Sequence, residues 1–232
     1  MVIQQDWDPT CNRFIAFLDI LGFKDRVFRD EFESIYNDLL SFRELLNHIE
    51  EMSGMIAADR ITSPPVKRAR PKTVNFSDSF FLVSGNDSAL SLTLIAILTQ
   101  EIVEKAISLG IPIKGAIAYG EQTADISNSI YFGKPLINAY ELQDQILLYS
   151  VVLHDSAAQR FRQLNDPELD NFFIKYNAPF KIGTVSHYLL KAHANDQLIE
   201  QVKAFYNTVP VSKKCYIDNT LHFLEFINPS VI

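Results

Sequence analysis

Two aspartates stand out by their surroundings. Asp19 lies in Phe17-Leu18-Asp19-Ile20-Leu21-Gly22-Phe23, and Asp78 lies in the polar triplet Ser77-Asp78-Ser79. A carboxylate set among so many apolar residues is costly to bury unless it is paired or holds a cation. Two carboxylates at close range repel each other, and a divalent cation removes that repulsion. Ligation by oxygen alone favours Mg²⁺ or Mn²⁺. The plainer alternatives are a helix cap for Asp19 and an ordinary turn residue for Asp78. A capping role, however, is already open to Asp25. Gly22 adds chemistry of its own, because backbone without a side chain can approach a phosphate chain and offer N–H groups to it.

For the two aspartates to meet, the chain between them must return to the same end of one sheet. Arg13 to Ile20 (RFIAFLDI) is a nearly continuous apolar run, the pattern of a strand buried on both faces. Gly22 ends it, and a helix follows from about Asp25 as N-cap. Its apolar positions Phe28, Phe32, Ile35, Leu39, Phe42, Leu46 and Ile49 step alternately by four and three, a heptad seam. That seam packs on a sheet, or serves a dimer as well.

Lys72 to Ser84 reads as a hairpin turning at Ser77-Asp78-Ser79. Asp87 or Ser88 caps a second helix to about Leu109, with Gly110 at C′ and Pro112 beyond. Ile113 to Tyr119 is a strand. Gly120 separates it from a partner strand, Glu121 to Ile126. Ile130 to Phe132 is short, and Gly133 and Pro135 open a third helix to about Tyr149. The order to Tyr119 is β-α-β-β-α-β, the ferredoxin-like arrangement of an antiparallel sheet with helices on one face. In it the first strand and the hairpin pair at the sheet centre, so Asp19 and Asp78 can converge. Beyond 150, Val151 to Leu153 reads as a strand, Asp155 caps a short helix, and Asp196 to Tyr206 is helical. Lys213 to Ile217 and Leu221 to Ile227 read as strands.

The 232 residues, 47% apolar and 21% charged, describe a folded globular chain. A formal charge of −7 argues against a broad nucleic-acid face, which needs excess Lys and Arg. A small anionic substrate would then need metal ions or local cations. The one basic cluster is Lys67, Arg68 and Arg70 in the loop over 53–71, either a solvated loop or a phosphate-neutralising arm. Cys11 and Cys215 read as reduced thiols, and the five histidines show no zinc spacing. No membrane span is evident, since the longest mostly apolar stretch, Leu90 to Leu98, is too short. MVIQQDWDPT lacks the regions of a signal peptide, so a cytoplasmic location is expected.

Four blocks, FLDILGFK, FSDSFFLV, IKGAIAYGE and YFGKPLINAYEL, occur in this order within residues 13–145. Together they resemble the catalytic core of class III nucleotidyl cyclases, closest to the bacterial pyrimidine cyclases of the Pycsar anti-phage systems. The resemblance implies an α+β fold, a ferredoxin-like βαββαβ class III cyclase core over 1–150. Residues 151–232 would form a C-terminal α/β extension of the same domain. It further implies two Mn²⁺ or Mg²⁺ ions held by Asp19, Asp78 and the Ile20 carbonyl. Leu21, Gly22 and Phe23 would offer backbone donors to the triphosphate. The implied reaction is attack of the ribose 3′-hydroxyl on the α-phosphorus with loss of pyrophosphate.

The departures from the family pattern narrow the substrate. Purine cyclases of this class read the base with a Lys four residues before the second metal Asp and an Asp shortly before the glycine. Those places hold Val74 and Ser129-Ile130 here. These departures disfavour ATP, and because uridylate cyclases outnumber cytidylate ones in the family resembled, the resemblance implies UTP, converted to 3′,5′-cyclic UMP, as the substrate, with CTP as the alternative. The family's transition-state Asn and Arg fall at Ile137 and Glu141. Arg68 and Arg70 are the candidate replacements, with Lys114 and Lys134 behind them. The resemblance implies a homodimer with its sites at the interface, and a product that acts on a separate effector protein. Two other readings stay open: a degenerate cyclase fold that binds nucleotide as a regulatory module, and an unrelated ferredoxin-like interaction domain.

Overall fold

The computed structural model describes residues 8–60, 71–76 and 78–230. Its strands are β1 (Thr10–Ile20), β2 (Lys72–Phe76), β3 (Ser79–Val83), β4 (Ile113–Asp125), β5 (Ile130–Gly133), β6 (Val151–Leu153), β7 (Phe173–Phe180) and β8 (Gly183–Leu190). Its α-helices are α1 (Phe23–Arg29), α2 (Phe32–Arg60), α3 (Ala89–Ser108), α4 (Lys134–Gln145), α5 (Asp155–Leu164), α6 (Asp196–Ala204) and α7 (Lys214–Ile227). All eight strands form one sheet in the order β2-β3-β1-β4-β6-β8-β7, with β5 paired to β4. The first four strands of that order are antiparallel, as the ferredoxin-like reading requires. The extension joins through β6, parallel to β4, so the complete sheet is mixed.

Both faces of the sheet are covered. Phe14, Ala16, Leu18 and Ile20 of β1 pack against side chains of α2, α3, α5 and α6. The alternate residues Ile15 and Phe17 face the other way, toward Ala139 of α4. The expectation of helices on one face is thus corrected by α4, whose Pro135, Ala139 and Gln143 are buried at steps of four. Helix α7 feeds both cores, with Tyr216, Ile217 and Leu224 in one and Phe223 in the other.

Several boundaries differ from the sequence reading. The helix expected from Asp25 starts at Phe23, with Gly22 as N-cap, and breaks at Asp30, where the backbone is extended. The first two members of the heptad seam, Phe28 and Phe32, are 82% and 76% exposed, while Ile35, Phe42 and Leu46 are buried. Ile49 lies outside the described side chains. β4 runs unbroken through Gly120, and α4 stops at Gln145. The two strands expected over 213–227 are the single helix α7. Burial of Tyr216, Ile217, Thr220, Phe223 and Leu224 follows the helical period, which a short-window reading of apolar clusters misses. The β7–β8 hairpin was not anticipated. It lies at the sheet edge, where β7 alternates buried and exposed residues around Lys175, Asn177 and Pro179 and gives no long apolar run. No described helix is long and apolar enough to cross a membrane.

Candidate active site

The end of β1 meets the tip of the β2–β3 hairpin. Phe76 pairs with Ser79, so the hairpin turns between them, with Asp78 at its tip. Asp19 lies directly across from Ser79 on one side and Lys114 on the other. Residues facing each other across antiparallel strands share a face, so Ser79, Asp19 and Lys114 form a polar row on the α4 side of the sheet. Ser79 Oγ donates to Asp19 Oδ1 at 2.8 Å. The Ile20 N–H donates to the Asp78 carbonyl at 3.0 Å, tying the hairpin turn to the residue after Asp19. β1 and β4 come unusually close beside this row. A side chain at Gly115 would lie 2.3 Å from Leu18 Cδ2 and 2.5 Å from the Phe17 carbonyl, so only glycine fits there.

Burial raises the Asp19 carboxyl above its ordinary range. The Ser79 hydrogen bond opposes that rise, the Asp78 charge adds to it, and Lys114 offsets part of it. The geometry therefore gathers negative charge and leaves it incompletely compensated, the condition in which a divalent cation binds well. Among the described residues no group of three or more His, Cys, Asp or Glu side chains is placed to hold a metal. Two carboxylates with a backbone carbonyl fit a hard ion that takes its other ligands from water or phosphate, as Mg²⁺ and Mn²⁺ do. The residues present thus suit the ions expected for them.

Gly22 has φ +73°, and a Cβ there would meet nothing within 4 Å. Its glycine is required by the left-handed backbone rather than by crowding, and the space beside it is open. The Leu21 N–H already donates to the Pro112 carbonyl at 2.8 Å. Of the three expected phosphate donors, Leu21 therefore has its N–H committed to the fold.

On the cationic side, Arg68 and Arg70 lie outside the described residues. Lys134 opens α4, whose twelve residues place it about 18 Å from the end that Lys114 reaches. Lys114 is only 4% exposed. Its Nζ donates to the carbonyls of Asp144 at 3.2 Å and Ile146 at 3.5 Å, and lies 5.7 Å from the centre of the Tyr216 ring. Burial pushes its ammonium down to about 8, against the pull of Asp144 and Asp19. Lys181, at the β7–β8 turn, pairs with Asp144 at 2.7 Å. Sequence reading placed Lys114 behind the two arginines, because a lysine inside an apolar strand gives no sign of what stands opposite it. Ile137 and Glu141 are exposed on the outer side of α4, away from its buried stripe.

The chain matches no protein-family profile, and no curated protein matches its sequence. Solved structures share its fold. The catalytic core of a rhodopsin-guanylyl cyclase with converted specificity, solved in complex with ATPαS, superposes with a TM-score of 0.57 at 14% identity, covering 80% of this chain and 99% of that one. The monomeric guanylyl cyclase domain of the RhoGC fusion protein from the aquatic fungus Blastocladiella emersonii gives 0.52 at 13% identity, covering 78% and 95%. A bacterial light-regulated adenylyl cyclase gives 0.54 at 11% identity, covering 85% and 99%. At these identities the likeness is one of architecture: the chain has the fold of class III nucleotide cyclase catalytic domains.

Proposed function

We propose that this chain is a pyrimidine nucleotide cyclase that converts UTP to 3′,5′-cyclic UMP and pyrophosphate, with CTP as the alternative substrate. The observation that carries the reading is the meeting of Asp19 and Asp78 at one end of β1, flanked by Ser79 and Lys114. Bound there, divalent ions supply Lewis-acid activation of the attacking hydroxyl and charge neutralisation at the leaving group. The chain's own residues do the rest. Asp19 and Asp78 fix the site's position, and Ser79 holds Asp19 in one rotamer. The backbone at Gly22 and Phe23 approaches the phosphates. Lys114 places a positive charge beside the carboxylate row, where it offsets charge on the departing pyrophosphate.

The pyrimidine preference rests on what faces a base. Val74 is packed against the core beside α4, and Ile130 is half-exposed and apolar. Neither offers the polar pair with which purine cyclases read their base. The exposed apolar residues Ile130, Phe132, Ile137 and Tyr140 of β5 and α4 support a homodimer. In that reading, the product acts on a separate effector in anti-phage defence. Ile137 and Glu141 favour a second reading, a nucleotide-binding module without turnover.

The test is to incubate the purified chain with each of the four NTPs and Mn²⁺ and identify products by mass. The expected result is pyrophosphate with a cyclic monophosphate from UTP, or from CTP. Binding without turnover of any NTP selects the non-catalytic module.

A further inference from the structure

We infer that Lys213, carried by the C-terminal segment, is a substrate-binding residue that joins Lys114 in holding the polyphosphate tail. This rests on the cyclase reading and gives residues 151–232 a part in the site. Lys213 immediately precedes α7, whose Tyr216 is buried. Its Nζ lies 5.4 Å from the centre of the Tyr216 ring, and Lys114 Nζ lies 5.7 Å from the same centre. Two ammonium groups therefore share one aromatic ring, one from the fourth strand of the core and one from the extension.

The ring attracts each cation, but the two cations repel each other. Among the described residues, neither has a carboxylate within ion-pair distance, whereas Lys181 is already paired with Asp144. Asp144 contributes only its backbone carbonyl to Lys114. Its carboxyl is held below the usual range, first by the hydrogen bond from Lys181 and then by the charges of Lys181, Lys114 and Lys213. Three lysines thus surround one carboxylate at the end of the sheet where Asp19 lies.

This excess suits the ligand. Two aspartates, two divalent ions and a nucleoside triphosphate of roughly four negative charges leave about two negative charges uncompensated. Lys114, Lys181 and Lys213, less Asp144, supply that deficit. Two lysines without a carboxylate partner suit a polyphosphate better than a single phosphate, since each ammonium can meet a different phosphoryl group.

The test uses inorganic tripolyphosphate with Mg²⁺ and the full chain, with affinity measured by isothermal titration calorimetry. Lys213→Met should weaken tripolyphosphate binding by about ten-fold or more, and Lys213→Arg should stay within about three-fold of the parent. Binding of orthophosphate should change less than two-fold in both, roughly at the limit of an exposed charge contact. The melting midpoint of the ligand-free protein controls for folding. Lys213→Gln, which keeps the aliphatic stem over Tyr216, replaces Lys213→Met if that variant melts early. Tripolyphosphate affinity unchanged in Lys213→Met, or absent from the parent, overturns the assignment. Tripolyphosphate binding that depends on Lys213, with no NTP turned over, would keep the anion site and remove the cyclase reading instead.

Discussion

The candidate site has two halves built by opposite means. The acidic half is local in construction: a buried strand ends at Asp19, the hairpin tip carries Asp78, and a backbone hydrogen bond from Ile20 ties them. The basic half is assembled from distant pieces: Lys114 at the start of β4, Asp144 at the end of α4, Lys181 at a hairpin turn and Lys213 before α7. Among the described residues the acidic half has one side-chain hydrogen bond inside it, from Ser79, and its negative charge is left incompletely compensated. The basic half satisfies Lys114 with two carbonyls and a ring, and has charge to spare. In the function proposed, a ligand that carries both metal and phosphate would complete both halves.

The sharpest way to break this comparison is to remove the acidic half. Asp19→Ala and Asp78→Ala should each abolish turnover, a loss of at least about 10³-fold, because loss of either carboxylate removes a ligand from the metals. The folded protein should not suffer. Asp19 has its proton affinity raised by burial, so in the pH range just above the ordinary aspartate value the folded state binds more protons than the unfolded chain. An ionised Asp19 therefore costs stability as pH rises through that range. Asp19→Ala should melt at or above the parent temperature at pH 7 in the absence of metal. Retained turnover in either variant would remove the two-carboxylate site.

The basic half tests next. Lys114→Met should lower kcat/KM by about 10²-fold, the scale of one lost electrostatic contact to developing charge. Its pH dependence has a definite sign. Lys114 sits at about 8 in the folded protein against 10.5 for an ordinary lysine. The parent should lose kcat/KM as pH rises through about 8, where the ammonium is neutralised. Lys114→Arg keeps its charge and should not show that fall. The same shift makes the ligand-free parent gain stability between pH 8 and 10.5, because there the unfolded chain still holds the proton that the folded protein has released. A pH profile identical in parent and Lys114→Arg would take Lys114 out of the substrate's field.

What could be seen in the sequence follows the same division. RFIAFLDI, the hairpin and the helix that Ser88 caps are written in short-range patterns: a continuous apolar run, a polar triplet between apolar runs, a serine whose side chain accepts from the Ser91 N–H at 3.2 Å. Those patterns suffice to bring Asp19 beside the hairpin tip, because strand order in this arrangement leaves few alternatives. Lys114 has no such signature. Within Ile111-Pro112-Ile113-Lys114-Gly115 nothing marks what stands opposite it, and residues of α4 and α7 contribute to its burial. Lys213 and Tyr216 were hidden further by reading α7 as two strands. The likeness to a known family pointed to a missing Asn and a missing Arg in α4, at Ile137 and Glu141. The lysines proposed in their place stand at and opposite the start of β4, where no motif of that helix could show them.

The smallest effect separates positioning from charge within the acidic half. Ser79→Ala removes the donor to Asp19 Oδ1 but leaves both carboxylates in place. A part-buried hydrogen bond to a charged acceptor contributes about 1.5 kcal/mol, and metal or water will replace some of it. Without that donor the Asp19 carboxyl loses a hydrogen bond that lowers its proton affinity, so protons compete better with the cation. The expected result is a several-fold rise in the Mn²⁺ concentration needed for half-maximal rate, larger at pH 6 than at pH 8, with the rate at saturating Mn²⁺ within about three-fold of the parent. A loss that saturating Mn²⁺ does not restore would mean that Ser79 orients Asp19 for the reaction itself, and the row across β3, β1 and β4 would then act as one unit rather than as two halves joined by the ligand.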